Sequence, residues 1–202
     1  MQQYDHEQIL KLEKRFRTNL INSLSGFKAA NLVATINTAG LTNLAIFSSA
    51  VHIGANPPLL GLVSRPHSVP RHTLENIMAT EQFTINHVNS MIYKQAHQTS
   101  ARYRTQSEFE ATGLTPEFIP DFKVPFVQEA NIKIGLSLAD IIDIKINNTK
   151  MIIGQIEWIS LPQNSVEQDG KINLEIADTI AISGLDTYHK TQQIERLAYA
   201  KP

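Results

Sequence analysis

The stretch Thr42–Pro58 reads TNLAIFSSAVHIGANPP. Leu44, Ile46, Phe47, Val51 and Ile53 supply the branched and aromatic content of a strand. Asn43, Ser48, Ser49 and His52 interrupt that content with short hydrogen-bonding groups, and Asn56-Pro57-Pro58 stops it in a turn. Two more strand candidates flank it. NLVATIN (Asn31–Asn37) alternates apolar and polar residues, with Gly40 in the turn that follows. PLLGLVS (Pro58–Ser64) is nearly continuous in apolar residues, which predicts burial on both faces. Taken in order, the three strands read as a meander.

Outward from this core, Ile9, Leu12, Phe16, Leu20 and Leu24 recur at spacings of three and four and predict one helix over Asp5–Leu24, stopped by Gly26. After Ser64 the segment SRPHSVPRHT is a proline-bearing loop, and Thr73 is an expected N-cap for the helix LENIMA. FTINHV is a fourth strand, and Ser90–Gly113 is polar and helical in pieces. The segment Gly113–Pro125 carries three prolines and reads as a surface excursion. A long alternating run, VQEANIKIGLSLADIIDIKI, turns at NNTK and returns as MIIGQIEWISL. DTIAISG is a last strand candidate. Many short strands with few helices predict a mainly β chain, a closed or half-closed barrel with peripheral helices. Residues 1–24 are expected to form an N-terminal helical segment, and residues 25–202 one barrel domain.

Composition narrows the chemistry. The chain has 202 residues, 42% of them hydrophobic, which is enough for a sizeable core. Lys plus Arg number 18 against 19 Asp plus Glu, so no broad phosphate-neutralising surface for nucleic acid is expected. There is no cysteine, which excludes thiolate nucleophiles, iron–sulfur clusters and Cys-based zinc sites. The seven histidines are scattered, and no metal site is expected. The first residues are charged and amphipathic, and no apolar run approaches the ~20 residues of a membrane span. A cytoplasmic protein without membrane contact is the expectation.

No phosphate-loop, dinucleotide-fingerprint, nucleophile-elbow or zincin motif is present. The loop Ser64–Thr73 carries Arg65 and Arg71, whose forks match phosphate oxygens, with the hydroxyls of Ser64 and Thr73 and a helix N-terminus beside them. An ordinary loop with a threonine cap and two solvated arginines fits the same residues. The opening stretch likewise reads two ways. Asn43, Ser48 and Ser49 suit barrel corners that bond to backbone, and they also suit the polar edge of a flat heteroaromatic ring, with Ala45 and Ala50 allowing close approach. A ring at one place and a phosphate at the other is the layout of a mononucleotide.

In order and spacing, TNLAIFSSAVHIGANPPLL, SRPHSVPRHTLENI, EQFTINHV, SEFEATGLTP and the closing GLDTYHK and RLAYAKP resemble the flavin reductase-like family of FMN-binding split barrels, in its flavoredoxin-like branch. The resemblance implies an FMN-binding split β-barrel that dimerises, with the flavin near the subunit interface. It implies that Asn43, Ala45, Ser48, Ser49 and Ala50 contact the isoalloxazine and ribityl parts, and that Ser64, Arg65, Arg71 and Thr73 surround the phosphate. It further implies an NAD(P)H-dependent flavin oxidoreductase, or alternatively an FMN-binding electron carrier or sensor without its own nicotinamide site. Since the cofactor carries the hydride chemistry, no general base is expected. Asp186 and Tyr188 are candidates for a lid or the substrate side. Glu108 is expected to be a cap or surface group, and Trp158 to lie in the core or an interface.

Overall fold

The computed structural model describes residues 1–103 and 106–201. The predicted N-terminal helix is two: α1 (His6–Lys11) and α2 (Lys14–Ser23). The chain breaks at Leu12, whose ψ of 144° is extended, and the Glu13 carboxylate then caps α2 by accepting from the N–H groups of Arg15 and Phe16. Neither helix buries a residue, so the apolar spacing that predicted one continuous face is not locked by a core. Gly26 closes the segment with φ +71°.

The strands follow as β1 (Lys28–Ala29), β2 (Asn31–Ile36), β3 (Thr42–Phe47), β4 (Ala50–Ala55) and β5 (Pro58–Ser64). Next come α3 (His72–Thr80), β6 (Gln82–His87), α4 (Tyr93–Gln98) and α5 (Glu108–Thr112). Then come β7 (Pro116–Glu117), β8 (Phe126–Val127), β9 (Lys133–Ile144), β10 (Thr149–Ser160), β11 (Ala181–Ser183) and β12 (Thr187–His189). The chain is mainly β, as expected.

The opening stretch is two strands, with Ser48 and Ser49 between them. The main sheet has seven strands in the order β3-β2-β6-β9-β10-β5-β4. β3 and β4 are therefore its two ends, so the expected meander is wrong at that step. Flat, seven strands would hold the end strands roughly 29 Å apart, at about 4.8 Å per step. The links from Phe47 to Ala50 reach only ~11 Å. The sheet must roll into a cylinder, and no ladder joins β3 to β4 along the seam. This is a split barrel.

Alternation on β2 shows how the barrel is filled. Val33 faces the interior with Leu62, Phe83, Ile85, Leu136 and Ile152. Leu32 and Ala34 face outward onto Leu44, Ile92, Ala96 and Phe109, under α4 and α5. Leu74 and Ile77 carry α3 into the interior cluster, each burial worth about 1.5–3 kcal/mol. Gly154 is required inside: a Cβ there would stand 2.5 Å from the Phe83 ring. β5 departs from the expected burial on both faces. Gly61, Leu62 and Ser64 are buried, but Leu59, Leu60 and Val63 are only half-buried, since β5 lies next to the largely exposed end strand β4.

Candidate functional site

β3 places Asn43, Ala45 and Phe47 on one face, directly opposite Thr35, Val33 and Asn31 of β2. Asn43 is buried at 8% exposure, and its carboxamide is fully engaged as a donor. Its Nδ2 donates to Thr73 Oγ1 at 3.1 Å and to Thr35 Oγ1 at 3.3 Å. Asn76 Nδ2 donates to the same Thr35 oxygen at 3.0 Å. This network joins β2, β3 and α3. Among the described residues the Asn43 carbonyl oxygen accepts nothing, so it remains free for a ligand donor.

Thr73 is thus not the N-cap. α3 begins at His72 with Arg71 in the cap position and no side-chain cap bond there. Glu75 closes the turn without capping the helix: its Oε1 accepts from the Arg71 N–H at 3.0 Å and lies 2.6 Å from His67 Nε2, while the first N–H groups of α3 stay open. The Arg71 N–H and His67 together hold the Glu75 carboxyl below the usual glutamate range. Glu75 was not foreseen as part of the site. Its place four residues after Arg71 in the first helical turn was the available signal.

The arginine-bearing loop is therefore clasped at both ends. Arg71 Nε donates to the Pro66 carbonyl at 3.2 Å, which pins the guanidinium stem and leaves its two terminal nitrogens without a protein acceptor among the described residues. Arg65 is exposed. Ser64 is buried, with only a long contact of 3.5 Å from its hydroxyl to the Arg65 carbonyl.

At the seam Ser48 and Ser49 separate in role. Ser49 Oγ donates to the Val63 carbonyl at 3.0 Å and accepts from the Val63 N–H at 3.2 Å. One side chain thus carries the β4–β5 pairing one residue beyond Ala50↔Leu62, at the point where the chain crosses from β3 to β4. Ser48 is half-buried, and neither its hydroxyl nor its N–H bonds to protein among the described residues. Ala45 is half-buried beside Asn43, and Ala50 packs on the interior cluster.

The outer face of β3 is differently used. Glu108 Oε2 accepts from the Leu44 N–H at 3.1 Å, supplying the partner that an end strand lacks. Tyr188 packs there with Ile46 and Tyr93, and its hydroxyl lies 3.0 Å from His97 Nδ1. Burial and the charge of Asp186 push the Tyr188 phenol up to about 12, so it stays a neutral donor. Tyr188 is thus across β3 from Asn43 and Ala45. Trp158 packs on Phe126 with ring centroids 4.8 Å apart. No group of three or more metal-ligating side chains occurs among the described residues.

The chain matches the family model described as "Flavin reductase like domain" over residues 25–177, and it belongs to that family. It is thereby a member of a flavin-linked oxidoreductase family. It is 52% identical to a split-barrel protein from Shewanella frigidimarina NCIMB 400, provisionally assigned as a flavin reductase, with a TM-score of 0.95 over 99% of this chain and 100% of that one. Nitrilotriacetate monooxygenase component B from Bacillus cereus shares the fold at 21% identity and TM-score 0.85, over 98% of each chain. So does flavoredoxin of Desulfovibrio vulgaris (Miyazaki F), at 19% identity and TM-score 0.73, over 87% of this chain and 92% of that one.

Unspent hydrogen-bonding groups define what this site suits. The Ser48 hydroxyl and N–H, the Asn43 carbonyl oxygen, the Arg71 terminal nitrogens, Arg65 and the first N–H groups of α3 are all uncommitted within the described chain. They combine a polar edge for a flat ring with a cationic cradle for a phosphate, which fits FMN.

Proposed function

We propose that this protein binds FMN as a homodimer and is an NAD(P)H-dependent flavin oxidoreductase. When bound, the flavin supplies the hydride-accepting centre. The observation that carries the reading is the Asn43–Thr73 hydrogen bond, which places the polar strand and the arginine loop side by side. In this reading Asn43, Ala45, Ser48, Ser49 and Ala50 border the ring and ribityl chain. Asn43 offers its carbonyl oxygen, Ser48 its hydroxyl and N–H, and Ser49 anchors the start of β4 to β5 beside them. Ser64, Arg65, Arg71 and Thr73 border the phosphate. Arg71 supplies the charge-assisted bonds, and Thr73 holds the first turn of α3 in register with β3.

No side chain is assigned as a general base, in keeping with the commitment of Glu75 to Arg71 and His67 and of Glu108 to the Leu44 N–H. Val51 and Ile53 on β4 remain 42% and 41% exposed, which supports pairing with a second copy. Anaerobic mixing of the FMN-loaded protein with NADH or NADPH tests the activity. Prompt loss of oxidised-flavin absorbance is expected, while persistence of that absorbance with both would assign an electron carrier instead. Light scattering on the eluting protein is expected to give twice the chain mass.

A further inference from the structure

A cleft of about 510 Å³ lies between the arginine loop and the tip of the β9–β10 hairpin. Its volume is within the roughly 300–1,000 Å³ typical of small-molecule sites. Pro66, His67 and Ser68 form one wall, and Lys145, Asn148 and Lys150 stand in the other. The sheet register places it. Lys150 is directly opposite Ser64 on β5 and directly opposite Asp143 on β9, so the cleft starts at the residue where the loop leaves the barrel.

Charge in the cleft is one-sided. Asp143 is its only carboxylate, and Lys150 is ion-paired with it. His67 is taken up by Glu75. Lys145 is exposed and has no carboxylate partner among the described residues. A chain of net charge −1 thus presents an unpaired cation there, with Arg65 next to the loop wall. Pro66 and Ile144 add apolar surface suited to a base, and Ser68, Asn148 and Thr149 add neutral polar groups suited to a ribose.

We infer that this cleft is a subsite for the adenosine-phosphate half of a dinucleotide, contiguous with the flavin-phosphate loop. The inference rests on the reading of Ser64–Thr73 as that loop. In a dinucleotide flavin the second phosphate is bonded directly to the first through one oxygen. Its adenylate must leave the loop by an adjoining opening, and the cleft adjoins it at Pro66. The adenylate of a nicotinamide dinucleotide presents the same chemistry. Lys145 binds the added phosphate, and the Pro66–Ile144 surface takes the adenine.

The full-length protein is titrated with ADP, FMN and FAD, and KM for NADH and NADPH is measured on the FMN-loaded form. Lys145→Glu, at an exposed hairpin tip, is expected to weaken ADP at least about tenfold while FMN affinity holds. If FAD weakens along with ADP, the adenylate belongs to the flavin. If KM for the nicotinamide nucleotide rises instead, it belongs to the reductant. Absent ADP binding, or equal ADP affinity in wild type and Lys145→Glu, overturns the subsite. Failure of the wild type to take up FMN overturns the flavin reading instead, and the ADP titration still decides the cleft.

Discussion

Asn43 on β3 donates to Thr73 on α3 at 3.1 Å, across 30 residues of sequence. Both residues are nine-tenths buried or more, so the bond fixes where the helix N-terminus stands relative to the strand. A double-mutant cycle checks it. Thr73→Val removes one acceptor, and Asn43→Ala removes donors to both Thr73 and Thr35. Asn43→Ala is expected to cost about 1–3 kcal/mol of unfolding free energy, and the pair to couple by ~0.5–1.5 kcal/mol. Strict additivity in urea unfolding would show that the contact does not tie the elements together.

The two adjacent serines should behave differently. Ser49→Ala strips both backbone groups of Val63 of their partner at the seam. It should lower stability by about 1–3 kcal/mol. Ser48→Ala should leave the unfolding midpoint in place and, under the proposed site, weaken FMN and riboflavin alike, as expected of a group that borders the ring and not the phosphate. Reversed results, with Ser48 carrying the stability and Ser49 the flavin, would reject this division of roles.

His87 makes stability pH-dependent. It lies at the end of β6 with Nδ1 3.1 Å from Thr179 Oγ1, and burial lowers its pKa from 6.5 to about 4. Above about pH 6.5 neither folded nor unfolded chain binds a proton there. As pH falls from 6.5 toward 4 the unfolded chain takes one up and the folded chain does not, so stability falls across that window and this contribution levels off below it. The loss between about pH 7 and pH 5 should be on the order of 2 kcal/mol. His87→Asn should flatten this part of the profile in urea midpoints, and an unchanged slope would assign it to other groups.

Much of the barrel was legible because period-two alternation in NLVATIN and FTINHV reports a sheet filled on one face and covered on the other. The break at Ser48-Ser49 was not. The two serines were readable as a barrel corner that bonds to backbone, as Ser49 does, but that this corner separates the two end strands follows only from closure of a seven-stranded sheet, which is a long-range constraint. The split at Leu12 was hidden for a related reason. Apolar spacing continues through Leu12 and Glu13, while the cap that ends one helix and starts the next is a local bond of a residue outside the usual cap set. The arginine loop stood out by composition, since two arginines and hydroxyls before a helix are locally readable. Thr73 did not fill its expected role because α3 begins one residue earlier, at His72, which puts Thr73 inside the first turn with its hydroxyl accepting from Asn43. Lys145 and Lys150 were invisible as site residues because only the β5–β10 register brings the hairpin tip to the loop.

Under the proposed function the loop after β5 holds the phosphate of a flavin whose ring lies along β3. Paired titration of wild type and Arg71→Ala with FMN and with riboflavin separates phosphate from ring. Arg71→Ala should weaken FMN by about 1.5–3 kcal/mol, or tens of fold, and leave riboflavin nearly unchanged. Equal losses for the two flavins, or no binding of either by the wild type, would contradict it.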